Sequence, residues 1–225
     1  MPALNRRPDM AVLASGGMDS ACLLEWAARR ARGAVRPLYV SFGLRWEPGE
    51  WKALRRWVRT LKRPNLLPPV MLRAPAGDLY GDHWSLSGRG VPGSRSRDSA
   101  VYLPGRNLLM LSKTAVYCAQ AGIRTLAIGT LSANPFADAT PKFFSDFSRI
   151  ASRALGRRIR IVAPFRRLTK RRLIRRFAHL PLSLCFSCLR PSAGCRPCGR
   201  CNKCVEWRRA LSAAGWRVRK TFRPC

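Results

Sequence analysis

Two groups of residues have types and spacing that chemistry can use. The first is Ser15-Gly16-Gly17-Met18-Asp19-Ser20, which lies between a short apolar run and a stretch of helical periodicity. Glycines let a backbone turn tightly and come close to a ligand. A helix that follows such a turn points unpaired N–H groups back at it, and its dipole favours an anion there. Ser15 and Ser20 add hydroxyl donors, and Asp19 is suited to hold a magnesium ion bridging phosphates. No Gly-Lys-Ser/Thr follows, so the pattern is not of the Walker type. An ordinary strand-to-helix turn is the plain alternative. The full hexapeptide in this position favours phosphate binding.

The second group is Cys188-x9-Cys198-x2-Cys201-x2-Cys204. Three thiolates at three-residue steps, with one from upstream, can enclose a tetrahedral zinc, and a closed four-sulfur site of this kind is structural. Gly199 frees the turn between Cys198 and Cys201. An iron–sulfur cluster would use the same ligands. Cys185 and Cys195 lie close by and are alternatives for one position. Cys22, Cys118 and Cys225 read as packed or inert thiols.

Other polar residues stand singly. Arg106 is suited to a phosphate, or to plain solvent exposure. Lys170 can reach a phosphate from a basic helix, or can simply be a solvated charge. His83, beside Asp82, is a weak candidate for acid–base work. His179 closes a basic helix, where a cation suits the dipole.

Composition bounds the classes. The chain has 225 residues, with 43 Lys plus Arg against 11 Asp plus Glu, for a net charge of +32. That length suits one domain, or one with a small appendage. An apolar content of 47% excludes a disordered polycation. The apolar runs are short, as in Leu108–Leu111, so no bilayer span and no membrane partner are expected. The polar segment Met1–Asp9 lacks the apolar core of a secretory signal, which predicts a cytoplasmic protein with reduced thiols. Six of the nine cysteines fall between Cys185 and Cys204, which favours a metal over disulfides. From Phe147 to Val205 there are 16 basic residues and no acidic one. Such a stretch attracts the phosphates of ATP, RNA or DNA, although 36 Arg against 7 Lys also fits an Arg-rich composition.

The elements that must position these residues follow from periodicity. Strands are predicted at Met10–Ala14, Pro37–Phe42, Pro69–Leu72, Thr125–Gly129 and Arg160–Ala163. Helices are predicted from the Gly turn to about Ala31, and through Trp51, Leu54, Trp57, Val58 and Leu61. Three more run through Leu108 to Cys118, Phe143 to Ala154, and Thr169, as cap, to Phe177. Residues 74–98 read as one long surface loop. Alternation of strands and helices predicts a doubly wound parallel α/β sheet with helices on both faces. The expected division is 10–180 for this domain and 181–225 for a small Cys-rich, zinc-binding module.

The hexapeptide resembles the PP-loop of the N-type ATP pyrophosphatases, which cleave ATP between its α and β phosphates. With the four cysteines, the chain resembles the 7-cyano-7-deazaguanine synthase family. Further landmarks are Phe42-Gly43-Leu44-Arg45, similar to that family's Tyr-Gly-Gln-Arg, and Leu103-Pro104-Gly105-Arg106-Asn107, similar to its Val-Pro-Gly-Arg-Asn. Ala163-Pro164 with Thr169-Lys170, Phe186-Ser187-Cys188, and Arg208 after the last zinc cysteine also correspond. The matches run from about Met10 to Leu211. Three positions depart from the pattern. Asn134 to Thr140 replaces Asp-x-Ser-Gly-Tyr-Pro-Asp-Cys-Arg, with Asp138 in the place of the second Asp. Leu44 replaces a Gln, and Cys185 replaces a Thr.

The resemblance implies a Rossmann-like PP-loop fold and an ATP-dependent C–N ligase of queuosine biosynthesis. It would join 7-carboxy-7-deazaguanine and ammonia through an acyl adenylate and form a nitrile. Expected cofactors are ATP, Mg2+ and Zn2+. Expected catalytic residues are Asp19, Arg106, Lys170 and Asp138, the last with helix capping before Pro141 as its alternative. Ser15, Gly16, Gly17, Met18, Asp19 and Ser20 would hold the nucleotide, and Cys188, Cys198, Cys201 and Cys204 the metal. Nucleic acid on the basic surface and a second copy of the chain are further candidate partners. Two rival readings keep the fold. One is a PP-loop paralogue that adenylates tRNA or a protein. The other is a non-catalytic nucleic-acid-binding protein.

Overall fold

A computed structural model describes residues 8–192 and 195–216. Five strands form one parallel sheet: β1 Pro8–Leu13, β2 Ala34–Ser41, β3 Val70–Arg73, β4 Thr125–Ala127 and β5 Arg160–Val162. Their order across the sheet is β3-β2-β1-β4-β5. All four pairings are parallel, so each connection crosses over through other structure. The main helices are α1 Met18–Arg30, α2 Glu47–Leu61, α5 Arg106–Gln120, α6 Pro141–Ala154, α7 Lys170–Arg176 and α8 Asn202–Ala213. Two single-turn helices, α3 Gly77–Tyr80 and α4 Trp84–Ser87, lie between β3 and α5.

The pleat of the strands separates two cores. Ala11 and Leu13 of β1 point to one face, with Leu38 and Val40 of β2 and Leu126 of β4. That face is covered by Leu111, Ala115 and Cys118 of α5 and by Phe144 and Ala151 of α6. Val12 points to the opposite face, with Val35, Tyr39 and Ala127. There α1 contributes Cys22, Leu23 and Leu24, α2 contributes Leu54 and Trp57, and α7 and α8 add Leu173, Ile174, Trp207 and Leu211. Alternation by two along the strands therefore produces a sheet with helices on both sides. The doubly wound architecture expected from the sequence is observed.

Several local expectations differ. β2 begins three residues before Pro37, because Pro37 sits inside the strand opposite Val12 rather than at its start. Residues 74–98 are not one loop. They contain α3 and α4, which are too short to show a period. His83 caps α4, where its side chain accepts from the Ser85 N–H. Helix α6 is capped by Thr140 and not by Asp138; the Thr140 hydroxyl accepts from the Phe143 N–H at 3.1 Å. Thr169 caps α7 as expected, accepting from Arg172 at 3.3 Å.

The strand order reverses between β1 and β4. Ligands of open α/β sheets bind at such a switch point, beyond the carboxyl ends of the strands. The loop after β1 is Ala14–Gly17 and the loop after β4 begins at Ile128, so both run into that crevice.

Candidate active site

The Ser15–Ser20 segment forms a tight turn from β1 into α1. Gly16 has φ +78°, a conformation that suits glycine. A Cβ there would lie 2.6 Å from the Glu50 carbonyl and 2.8 Å from the Leu54 nitrogen, so the loop rests directly on α2. Gly17 is the N-cap of α1 and has no side chain to satisfy the helix N–H groups. Those donors are left for a ligand. Ser20 closes the turn by accepting from the Ser15 N–H at 2.9 Å, and its hydroxyl lies 3.3 Å from that of Ser15.

Lys170 reaches this turn from the first residue of α7. Its Nζ donates to both carboxylate oxygens of Asp19, at 2.8 and 2.7 Å. The neighbouring basic residues Arg171, Arg172, Arg175 and Arg176 are exposed on the outside of α7. Glu206 of α8 stands 3.8 Å from the same ammonium and also pairs with Lys203 at 2.6 Å. The result is an alternating row, Asp19, Lys170, Glu206, Lys203. Burial works against the charge of Lys170, but Asp19 and Glu206 outweigh it and raise its pKa above 10.5. At Glu206 burial likewise opposes ionisation, and Lys203 and Lys170 override it, so its pKa falls.

These residues line a cleft of about 360 Å³, together with Arg106, Asn107, Thr130 and Phe136. The volume lies within the range of small-ligand sites. Arg106 begins α5, and its buried Nε has no hydrogen-bond partner among the described residues. The buried Thr130 hydroxyl is likewise unpartnered. Unsatisfied buried donors beside a cleft are the groups a polar ligand would satisfy. Asp138 does not line the cleft. Its carboxylate accepts from the Asn107 N–H at 2.9 Å and from the Asn107 side chain at 3.1 Å. It therefore ties down the first turn of α5, and so positions Arg106.

A second cavity of about 290 Å³ shares the Ser15–Ser20 turn with the first. It also shares Arg106, Lys170, Lys203 and Glu206 with the first, and Trp46, Glu50, Trp84, Leu103 and Phe186 are among its other lining residues. Glu47 is fully engaged elsewhere. It accepts from the Ser41 hydroxyl at 2.6 Å and from the N–H groups of Phe42 and Gly43 at 2.7 and 3.2 Å. Leu44, where the resembled pattern has a Gln, packs in the core at 2% exposure and lines neither cavity.

The sulfurs of Cys188, Cys198, Cys201 and Cys204 lie within 4.8 Å of one another. Backbone N–H groups point at three of them: Cys198 at Cys188 (3.2 Å), Leu189 at Cys201 (3.4 Å) and Cys201 at Cys198 (3.4 Å). Donors aimed at sulfur suit ligands that carry negative charge. Gly199, at φ +74°, makes the turn between Cys198 and Cys201. The cluster fits a metal ion. Of the two spare cysteines, Cys185 is buried in the opposite core and Cys195 lies outside the cluster. Cys225 falls outside the described residues.

The cluster also aims the last helix. Cys201 is the N-cap of α8 and Cys204 lies in its first turn. Lys203 and Glu206 therefore project from the same turns into the cleft. Sequence reasoning missed Lys203, Glu206, Glu50 and Thr130. One signal was available for Glu206, which is the first carboxylate after the Phe147–Val205 basic stretch. Among the described residues, no helix is long and apolar enough to cross a membrane.

Known proteins resemble this arrangement. A 7-cyano-7-deazaguanine synthase of Thiobacillus denitrificans is 32% identical over 219 residues, which cover 93% of this chain and 96% of that one. That of Anaeromyxobacter dehalogenans is 34% identical and covers 91% of each. Among solved structures, a predicted subunit of tRNA methyltransferase from Methanocaldococcus jannaschii matches with a TM-score of 0.51 at 15% identity, covering 76% of this chain and 74% of that one. A 4-thiouridine synthetase, solved with RNA and ATP, matches with a TM-score of 0.50 at 13% identity, over 92% of this chain and 50% of that one. At those identities the two structures speak for the fold alone. The model of the queuosine biosynthesis protein QueC matches residues 9–215, and the chain belongs to that family.

Proposed function

We propose that the protein is an ATP-dependent ligase that converts 7-carboxy-7-deazaguanine and ammonia to 7-cyano-7-deazaguanine. Family membership and the names of the curated relatives support the substrate. The observation that carries the reaction type is the convergence of three sources of positive potential on one turn. The N-terminus of α1, the ammonium of Lys170 and the guanidinium of Arg106 all face the cleft beside Ser15–Ser20. Negative charge that develops on a departing pyrophosphate would be stabilised there.

A carboxylate oxygen of the acid attacks the α-phosphorus of ATP, the bond to the β-phosphate oxygen breaks, and pyrophosphate leaves. Ammonia attacks the acyl carbon of the adenylate, AMP leaves with that oxygen, and a proton is lost to give the amide. The amide oxygen takes AMP from a second ATP with release of a second pyrophosphate. Loss of AMP and the two amide protons leaves the nitrile. Lys170 is the residue placed to follow the phosphates, and Asp19 keeps it in position until they arrive. Magnesium, bound by substrate phosphates and one carboxylate such as Asp19, would neutralise phosphate charge. Zinc is the expected ion at the four cysteines. It would set the direction of α8 and touch no substrate.

The test is exchange of labelled pyrophosphate into ATP, without ammonia. Exchange that requires 7-carboxy-7-deazaguanine supports the adenylation step. ATP binding without acid-dependent exchange contradicts it.

A further inference from the structure

The Cys module carries a charged surface that the cleft does not use. Two distant stretches of sequence are stapled together there. Gly93 pairs with Cys201 in an isolated antiparallel bridge. The buried Asn202 donates from its backbone to the Pro92 carbonyl at 3.0 Å, and from its side chain to the Ser96 carbonyl at 2.9 Å. The Gly93 N–H donates to the Ser96 hydroxyl at 3.1 Å and fixes the turn between them. The loop with Arg95 and Arg97 is thereby held against the turn with Arg200. Arg190 follows Leu189, whose N–H is aimed at the Cys201 sulfur. The Arg196 carbonyl accepts from the Ser192 N–H at 3.0 Å. Arg208 of α8 lies over the turn at Gly199, where a Cβ would come within 3.8 Å of its guanidinium. Arg95, Arg97, Arg190, Arg196 and Arg200 are exposed. Among the described residues no carboxylate pairs with any of them. Asp82 pairs with Arg89, Glu206 pairs with Lys170 and Lys203, and Asp98 opens the short turn that ends the loop.

Counter-charge for a metal does not account for these arginines. A divalent ion in four thiolates keeps a net negative charge, but backbone N–H groups meet three of the sulfurs. Among the described residues no guanidinium is bonded to a sulfur. The side chains are rigid forks of donors that suit phosphate oxygens. They stand on turns, and no helix or two-stranded ribbon projects them as an element that enters a major groove. None of the exposed large apolar side chains belongs to these turns, so the surface has nothing to insert into a bilayer. A run of phosphates on a flexible single strand fits such a surface, and guanidinium planes can stack on its bases. We infer that this arginine surface is a docking site for single-stranded RNA, held through its phosphates without preference for base sequence. The strand would pass beside the cleft, since Cys188 and Leu189 also line the second cavity. The inference does not depend on the ligase reading.

The test must separate this surface from the high positive charge of the whole chain. One variant of the full chain combines Arg95→Gln, Arg97→Gln, Arg190→Gln and Arg200→Gln. The control combines Arg153→Gln, Arg157→Gln, Arg158→Gln and Arg160→Gln, exposed arginines about the α6–β5 turn, and so removes the same charge. Metal content and denaturant midpoint show that each remains folded. Fluorescence anisotropy follows binding of a labelled single-stranded RNA of about 20 nucleotides between about 50 and 200 mM salt. Wild-type affinity should fall steeply with salt. The first variant should bind roughly 10- to 100-fold more weakly, with a salt slope shallower by about 3. The control should stay within about threefold of wild type. Equal losses in the two variants would overturn the inference, by leaving net charge as the cause. So would a wild type that does not bind the RNA, or that binds DNA of the same length more tightly, single-stranded or duplex. Binding to vesicles with anionic headgroups that the first variant loses, while its RNA binding is intact, would also overturn it and assign the surface to a membrane.

Discussion

The ammonium of Lys170 bridges both carboxylate oxygens of Asp19 across 151 positions of sequence. The two side chains are only 23% and 31% exposed, so the pair is shielded more than an ordinary surface ion pair. It joins the first turn of α1 to the first turn of α7 inside the cleft. The lysine pKa lies above 10.5, and the ordinary unfolded value is 10.5. The pair therefore contributes stability at pH values below that and loses it as the pH rises past the folded value.

Removing the ammonium tests its role. Lys170→Met should lower kcat/KM for acid-dependent AMP formation by about 10²–10³-fold, the scale seen when one preorganised electrostatic donor is lost. Lys170→Arg should recover part of the rate. Steady-state kinetics at pH 8 make the comparison. A Lys170→Met variant with full activity would remove Lys170 from the mechanism.

Asp138 is predicted to be a positioning residue. Asp138→Ala removes two hydrogen bonds at the start of α5 and should destabilise the fold by about 1 kcal/mol. The KM for ATP should rise through displacement of Arg106, while the pH dependence of kcat stays that of wild type. A changed pH profile would instead mark Asp138 as a group that titrates in the reaction.

Glu50 links stability to pH. Its folded pKa of about 7 lies above the ordinary 4.5, so ionising it in the folded protein costs free energy. That cost is absent well below 4.5, grows as the pH rises toward 7, and is complete above. The groups around it are Tyr39 on β2, Glu47 on α2 and Arg106 on α5; Asp19, Lys170, Lys203 and Glu206 line the same cavity. Glu50→Gln should therefore stabilise the protein at pH 8 by about 1–2 kcal/mol, allowing for its partial exposure, and much less at pH 5. Denaturant melts at the two pH values measure this.

Metal removal should act at a distance. Stripping the four cysteines with a chelator, or substituting Cys201→Ser, frees the N-cap of α8 and the turn that carries Lys203 and Glu206. The melting midpoint should fall by roughly 2–4 °C for each kcal/mol lost. Acid-dependent AMP formation should fall with it and return when zinc is restored. Unchanged activity in metal-free protein would separate the cluster from the cleft.

The parallel architecture was legible because its signals are local and periodic, as in Met10–Ala14 and the Leu108–Cys118 helix. The Ser15–Ser20 turn and the clustering of the four cysteines were legible because glycine and cysteine spacing carries a mechanism. Pro37 misled the strand boundary, since a proline usually begins a strand rather than lying within it. Glu50 and Glu47 look equivalent on α2. Only the fold shows that Glu47 holds the Phe42–Gly43 backbone while Glu50 faces a cavity. Asp138 was expected to be catalytic or to cap a helix and does not line the cleft or cap α6; it binds Asn107, which is 31 positions away. Contacts made across that distance leave no trace in periodicity.

The products of one complete reaction test the proposed chemistry most directly. Purified protein with zinc bound is given ATP, magnesium, ammonia and 7-carboxy-7-deazaguanine, and AMP, pyrophosphate and deazapurine products are quantified together. Two AMP and two pyrophosphate are expected per nitrile, with none of the three formed when the acid is omitted. AMP that appears without the acid, or a nitrile that forms without AMP, would contradict it.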